Sequence, residues 1–143
     1  MRKVRAWRAA LTVAVAVSLV SAASALANVA LTQVSSDPYT NSTSQHATEE
    51  EPDTFADHGT VVAAFQVGRF FNGGASDIGV VRSGDGGSTW DAPAFLHDTF
   101  NSGASGSPYE RVSDASVAYD AAHGVWLVSS IPLLPNTSVP TVF

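Results

Sequence analysis

Four charged side chains have the types and positions that acid–base or anion-binding chemistry would need. Glu51 and Asp114 each open a predicted strand; Arg111 precedes the second acid by three residues, and Arg69 ends another predicted strand. A carboxylic acid there can donate a proton, and an arginine can bind an anionic group through parallel hydrogen bonds. The alternative is that the four residues form ion pairs or cap hairpins. We therefore predict that Glu51 and Asp114 are the catalytic residues and that Arg69 and Arg111 bind the substrate.

Other kinds of catalytic or cofactor site find little support. The chain has no cysteine, which excludes thiolate metal sites, cysteine nucleophiles and disulfides. Its four histidines lack metal-ligand spacing, and two of them, His58 and His123, fall in predicted turns. The Gly-Ala-Ser segments at 74–78 and 103–107 lack the final glycine of a serine nucleophile motif. We therefore predict no metal and no cofactor.

The first 27 residues have the pattern of a cleavable export signal. Four of the seven basic residues lie in the first eight positions, an apolar run follows at 11–20, and small residues end in Ala25-Leu26-Ala27. The apolar run is about half of the ~20 residues that span a bilayer, so an uncleaved anchor is the less favoured alternative. We predict cleavage after Ala27 and a secreted, extracellular product with no membrane span after cleavage.

Removal of that signal changes the charge of the chain. From Asn28 onward the sequence keeps all 13 carboxylates but only three strong bases, Arg69, Arg82 and Arg111, so its formal charge is −10. Nucleic acids and anionic membrane surfaces are bound through basic patches. We therefore predict no nucleic-acid partner.

The remaining chain divides into a polar lead-in at 28–48 and a region rich in strands. The lead-in follows neither helical nor strand periodicity. Apolar runs of four to eight residues, bounded by turn formers, then predict strands at 51–57, 60–67, 77–82, 89–96, 114–119 and 125–131. No sustained i, i+3, i+4, i+7 stripe appears. We predict an all-β protein with almost no helix.

An internal repeat relates residues 51–57 to residues 114–120, an offset of 63 residues. Acidic residues begin and end both copies, and a His-Gly turn and a hydrophobic strand follow each one. Chance similarity of two hairpins is the alternative. A unit of this length with four short strands fits one blade of a β-propeller. Because the second unit supplies only two strands, we expect either a fragment of a longer protein, which we favour, or pairing with other copies.

Residues 83–90, Ser-Gly-Asp-Gly-Gly-Ser-Thr-Trp, match the pattern S-x-D-x-G-x-T-W at every fixed position. Asp85 can accept backbone N–H bonds across a tight hairpin, and glycine supplies the positive φ that such a turn needs. Thr89 can form a local hydrogen bond while Trp90 returns toward the core. The octet therefore predicts a tight turn between the third and fourth strands of the first unit.

This octet resembles the Asp-box, or bacterial neuraminidase repeat, of the sialidase (neuraminidase) superfamily of β-propellers. The resemblance covers about residues 49–131, and it implies that the box is a peripheral structural turn. The residues of the turn are Ser83, Asp85, Gly87, Thr89 and Trp90. It also implies a six-bladed propeller, of which residues 49–143 would hold about two blades, the first at about 49–100 and an incomplete second at about 110–143.

The resemblance further implies an exported sialidase-like glycoside hydrolase that acts on an extracellular glycan or glycoprotein. Sialidases bind the substrate carboxylate with three arginines and use a Tyr–Glu nucleophile pair and an Asp acid/base. The first of these arginines lies in an Arg-Ile/Leu-Pro motif, which this chain lacks. Glu51, Arg69, Arg111 and Asp114 would line the axial pocket. We expect an incomplete catalytic set, with the remaining blades missing and this chain inactive alone. The alternative is a non-catalytic propeller that binds carbohydrate or protein at the cell surface.

Overall fold

The computed structural model describes residues 31–135, so the predicted signal peptide at 1–27 and the final residues 136–143 lie outside the described residues. The strands are β1 (Gln45–Asp57), β2 (Thr60–Arg69), β3 (Ala75–Ser83), β4 (Ala94–Phe95), β5 (Arg111–Asp120) and β6 (Val125–Leu133). The helix in this part of the chain is a single 3-10 turn, Phe100–Ser102. The all-β prediction is confirmed. Within residues 31–135, no helix has the length and apolar character needed to cross a membrane.

The strands form one open antiparallel sheet in the order β1-β2-β3-β5-β6, and β4 pairs with β3 away from this path. Strands β1, β2 and β3 pair over most of their lengths, as do β5 and β6. By contrast, β3 and β5 share one pair, Ala75 with Val112. This narrow junction separates a first unit (β1–β4) from a second unit (β5–β6).

Strands β2 and β3 are buried on both faces of the first unit. One face packs on the second unit and forms an interunit core of Val62, Ala64, Ile78, Val112, Ala115 and Val117. The other face carries Ala63, Phe65, Val67 and Val81, against which Val34, Tyr39, Trp90 and Phe95 pack. Because both faces are covered, β2 is buried continuously from Val62 to Gly68. Apolar burial of this kind contributes roughly 1.5–3 kcal/mol for each large side chain.

Strand β1 begins at Gln45, inside the segment that the sequence indicates as a lead-in. Its early residues still pair with β2, Gln45 with Arg69 and Glu49 with Val67. Strand β1 is an edge strand with exposed side chains, so its first half lacks the apolar alternation by which strands are recognised. Val34 and Tyr39, earlier in the same segment, pack against the first unit.

Strand β4 is only two residues long, whereas the sequence indicates a strand over residues 89–96. Thr89 and Trp90 remain in the preceding turn, and Pro93 has no N–H with which to extend the ladder. Isolated backbone bonds continue on either side of β4, from Asp91 N to Arg82 O at 2.8 Å and from Leu96 N to Ile78 O at 3.0 Å. The fourth strand therefore exists as an irregular edge.

Each unit carries a β-bulge at the same repeat position. The register shifts between Glu50 and Asp53 in the first unit and between Ser113 and Ser116 in the second. Glu51 and Asp114 occupy these bulges, each with φ 50°, and so lie inside their strands rather than at the predicted strand starts. The two bulges have the same spacing as the sequence repeat, so the backbone irregularity is repeated as well.

Candidate functional site

The turn at residues 83–90 is organised around the Asp85 carboxylate. Oδ1 accepts from Ser83 Oγ and from Thr89 N, both at 2.8 Å, while Oδ2 accepts from Thr89 Oγ1 at 2.7 Å. The hydrogen bond from the Thr89 N–H is the main reason why the pKa of Asp85 is lowered to about 2. Gly87, with φ 92°, donates its N–H to Ser83 Oγ at 2.8 Å. All these bonds are internal to the turn, which gives Asp85 a structural role.

This turn also joins neighbouring parts of the first unit. Gly86 donates its N–H to Gly59 O in the β1–β2 turn at 2.7 Å, so the two hairpin turns are linked. Trp90 is half-buried and packs on the cluster that contains Phe65 and Val67. The octet therefore fixes one end of the first unit.

Arg69 lies at the opposite end of the first unit, where β2 turns into β3. Its Nε is 3.0 Å from Glu50 Oε1, and its Nη1 donates to Gln45 Oε1 at 2.9 Å. Both partners belong to β1, so this arginine fastens the edge strand to β2. Its guanidinium is already bound to a carboxylate of the chain itself.

Arg111 lies at the same end, because Ala75 pairs with both Arg69 and Val112, the residue that follows Arg111. Its Nη2 is 2.9 Å from Glu110 Oε2, and its Nη1 donates to Asn72 Oδ1 at 2.7 Å. The guanidinium carbon also stands 4.6 Å from the centre of the Phe70 ring. Like Arg69, it is engaged by groups of this chain.

The two candidate acids are exposed and do not form ion pairs with either arginine among the described residues. Glu51 Oε2 accepts a hydrogen bond from Nε2 of the buried Gln66. Asp114 Oδ1 accepts from Ser113 Oγ at 3.1 Å. The structure thus places these acids on equivalent bulges without bringing them into contact with Arg69 or Arg111.

A second group of polar residues was missed by sequence reasoning, and its centre is Asp77 on β3. This carboxylate is fully buried and accepts from the Tyr39 hydroxyl, from His97 N at 3.0 Å and from Asp98 N at 3.4 Å. Burial, and then the hydrogen bond to Asp77, raises the pKa of Tyr39. A carboxylate within the apolar run that becomes β3 was the signal that could have revealed this centre.

Beside Asp77, an open pocket of about 470 Å³ lies between the connection that follows β4 and strand β6. Its lining consists of Leu96, Asp98, Tyr109, Val128, Ser129, Ser130 and Pro132. Asp98 Oδ2 accepts from Ser130 Oγ at 3.2 Å. Burial raises the pKa of Asp98, and the nearby charge of Asp77 acts in the same direction. None of the four charged residues predicted from the sequence lines this pocket.

The chain matches no protein-family model, no curated protein and no solved structure. Within residues 31–135, no three histidine or acidic side chains are grouped so that they could hold a metal ion. The chemistry of the site is therefore inferred from the side chains of this chain.

Proposed function

We propose that this chain is an exported, sialidase-like β-propeller protein, of the glycoside hydrolase kind, that acts on an extracellular glycan or glycoprotein. The observation that carries the proposal is the turn at residues 83–90. Its Ser, Asp, Gly and Thr residues form one hydrogen-bonded unit where β3 ends, as an Asp-box would. The repeated bulges at Glu51 and Asp114 support a blade-like repeat.

In this proposal, Glu51 and Asp114 are the proton-transferring acids, since both residues are exposed. Arg69 and Arg111 would bind an acidic group of the glycan. To do so, each arginine would have to give up its ion pair, Arg69 with Glu50 and Arg111 with Glu110. Because that loss offsets part of the binding energy, we expect weak binding of acidic sugars. We therefore expect little or no turnover by this chain alone.

A panel of fluorogenic glycosides of sialic acid and of neutral sugars tests the hydrolase. The full-length gene product, exported by its expression host, is compared with its Asp114→Asn variant, and Asp91→Asn serves as a control that removes the same charge from an exposed position before β4. Turnover that falls at least tenfold in Asp114→Asn alone would support the assignment. Release that is equal in all three proteins would remove Asp114 from the mechanism.

A second function, non-catalytic glycan binding, is favoured by Phe71. This side chain is 83% exposed in the β2–β3 turn, next to Phe70 and Asn72, which contact Arg111. An exposed ring provides a surface on which a sugar can stack. Binding to a glycan array that is lost in Phe71→Ala but kept in Phe100→Ala, an exposed ring elsewhere, would support this function. Without turnover or binding, both functions fail.

A further inference from the structure

The pocket beside β6 offers chemistry that differs from that of the two arginines, neither of which lines it. In its lining, the charged residue among the described side chains is Asp98, and Leu96, Val128 and Pro132 provide apolar walls. The Tyr109 ring and two serines, Ser129 and Ser130, complete the lining. The pocket therefore combines one carboxylate with an apolar and aromatic surface.

Several contacts fix the Asp98 carboxylate at this place. Its backbone N–H points to Asp77 Oδ1, its carbonyl accepts from Ser107 Oγ at 2.6 Å, and its side chain accepts from Ser130 Oγ. These bonds come from β3, from the connection before β5 and from β6, so three separate segments position the residue. Its position does not depend on a flexible side chain alone.

The buried Asp77 carboxylate lies close enough to Asp98 to accept a hydrogen bond from its backbone N–H. A second carboxylate near Asp98 makes the electrostatic potential at the Asp98 side chain more negative. The histidine nearest to the pair, His97, has its Nδ1 3.7 Å from Asp77 Oδ2 and is largely exposed. A cation in the pocket would offset the repulsion between the two carboxylates, whereas an anion would increase it.

We propose that this pocket binds a small ligand that carries a protonated primary amine, with the amine at the Asp98 carboxylate and the body of the ligand against Tyr109, Leu96 and Pro132. An ammonium group beside a carboxylate forms charge-assisted hydrogen bonds, and an aromatic ring attracts the same charge. Ser129 and Ser130 can exchange hydrogen bonds with hydroxyl groups on the ligand. The site includes none of Glu51, Arg69, Arg111 or Asp114, so it stands independently of the proposed hydrolase.

Glucosamine, N-acetylglucosamine and glucose share one sugar ring, but only glucosamine carries a protonated amine. Comparison of their affinities therefore shows whether the charge or the shape of the sugar determines binding. Binding is measured by calorimetry with the full chain at pH 6, where an amine of this kind is protonated. We expect glucosamine to bind about three- to fivefold more tightly than the two neutral sugars, which is the upper part of the range for a partly exposed ion pair. n-Butylamine, which lacks hydroxyl groups, shows whether an alkyl amine suffices; equal binding of it would widen the ligand class to any primary amine. Equal affinities for the three sugars, or no binding, would overturn the proposal.

Two variants locate the charge. Asp98→Asn keeps the shape of the side chain and should bring glucosamine and glucose to within about twofold of each other. Asp91→Asn removes the same charge from a side chain that is 63% exposed, pairs with Arg82 and lies outside the pocket, and it should keep the preference. A preference that survives Asp98→Asn contradicts the site.

Amide chemical shifts of the unmodified protein provide a test that depends on no variant. Titration with glucosamine should shift the amides of residues 96–98 and 128–131, which surround the pocket. Shifts confined to the β2–β3 turn would place the amine outside this pocket and overturn the proposal.

Discussion

The backbone at Glu51 and Asp114 is left-handed, with φ 50° at both residues. Such a conformation costs a residue other than glycine roughly 1–3 kcal/mol, and Asp tolerates it better than Glu. Glu51 has a compensating contact with Gln66, whereas the Asp114 side chain is exposed and bonds only to its neighbour among the described residues. Ala47, His58 and His97 also have a positive φ, so what distinguishes Glu51 and Asp114 is that the same conformation recurs at two equivalent acids of the repeat.

Position 114 should prefer glycine to alanine. The variants Asp114→Gly and Asp114→Ala both remove the carboxylate, but only alanine keeps a Cβ in the left-handed conformation. We expect the glycine variant to be more stable by about 1 kcal/mol. The measurement is the free energy of unfolding in urea for both variants.

Ala118 provides the control, because it is exposed on a regular part of β5. There Ala118→Gly should lower stability by about 0.5–1 kcal/mol, which is the opposite preference. If alanine is also the more stable residue at position 114, the bulge does not impose the left-handed conformation.

At the scale of the elements, the turn at residues 83–90 should lose stability in acid. The pKa of Asp85 in the folded protein is about 2, below its ordinary value of 3.8. Its contribution is therefore complete above about pH 4 and disappears as the pH falls toward 2. Wild type should exceed Asp85→Asn in stability by a constant amount from pH 5 to 7 and by a shrinking amount below pH 4. Urea unfolding across this pH range measures the difference.

Because both proteins keep every other carboxylate, the difference between them isolates Asp85. Asp53 and Asp120, whose pKa values are also lowered by hydrogen bonds, affect both proteins alike. A difference that does not change from pH 5 to pH 2 would mean that the charge of Asp85 adds nothing to the turn.

The Tyr39 hydroxyl is one of the groups that fasten the segment before β1, beside the bonds of Ser35 to Glu49 and of Asn41 to Ser76. Tyr39 donates to the buried Asp77 carboxylate and packs edge-on against Phe95, with ring centroids 5.9 Å apart. In Tyr39→Phe the ring remains but the carboxylate loses a donor, so we expect a loss of about 1–3 kcal/mol. Urea unfolding measures the loss, and hydrogen exchange should show faster opening of residues 33–44.

Tyr119→Phe is the matched control, since it removes a hydroxyl from a ring that packs on Trp126 without a bond to a buried acid. Its stability should change by less than about 0.5 kcal/mol. Equal losses in the two variants would show that the ring of Tyr39, rather than its bond to Asp77, retains the segment.

At the scale of the molecule, the sequence could predict what depends on neighbouring residues. Short apolar runs bounded by turn formers predicted most of the strands, and the glycines and Asp85 predicted the turn. The pocket could not be predicted, because Asp98 and Ser130 are brought together by strand order and not by spacing. The length of β1 was underestimated because an exposed edge strand carries little apolar pattern.

The final prediction concerns two positions that the repeat makes equivalent. Val62 and Leu127 are each in the third pair after their hairpin turns, opposite Phe55 and Ala118. Val62 is 5% exposed, because the second unit packs on it, whereas Leu127 is 52% exposed. Val62→Ala should therefore cost about 2 kcal/mol, and Leu127→Ala, although a larger truncation, less than about 1 kcal/mol.

Urea unfolding at two protein concentrations, with the oligomeric state checked by light scattering, separates the possible results. In a monomer, the larger loss at Val62 would follow from burial by the second unit alone. If Leu127→Ala instead costs as much as Val62→Ala, and does so only at high protein concentration, another copy of the chain covers this face in solution. A similar loss at every concentration would contradict the exposure of Leu127, because the cost of truncating a side chain follows the apolar area that it buries.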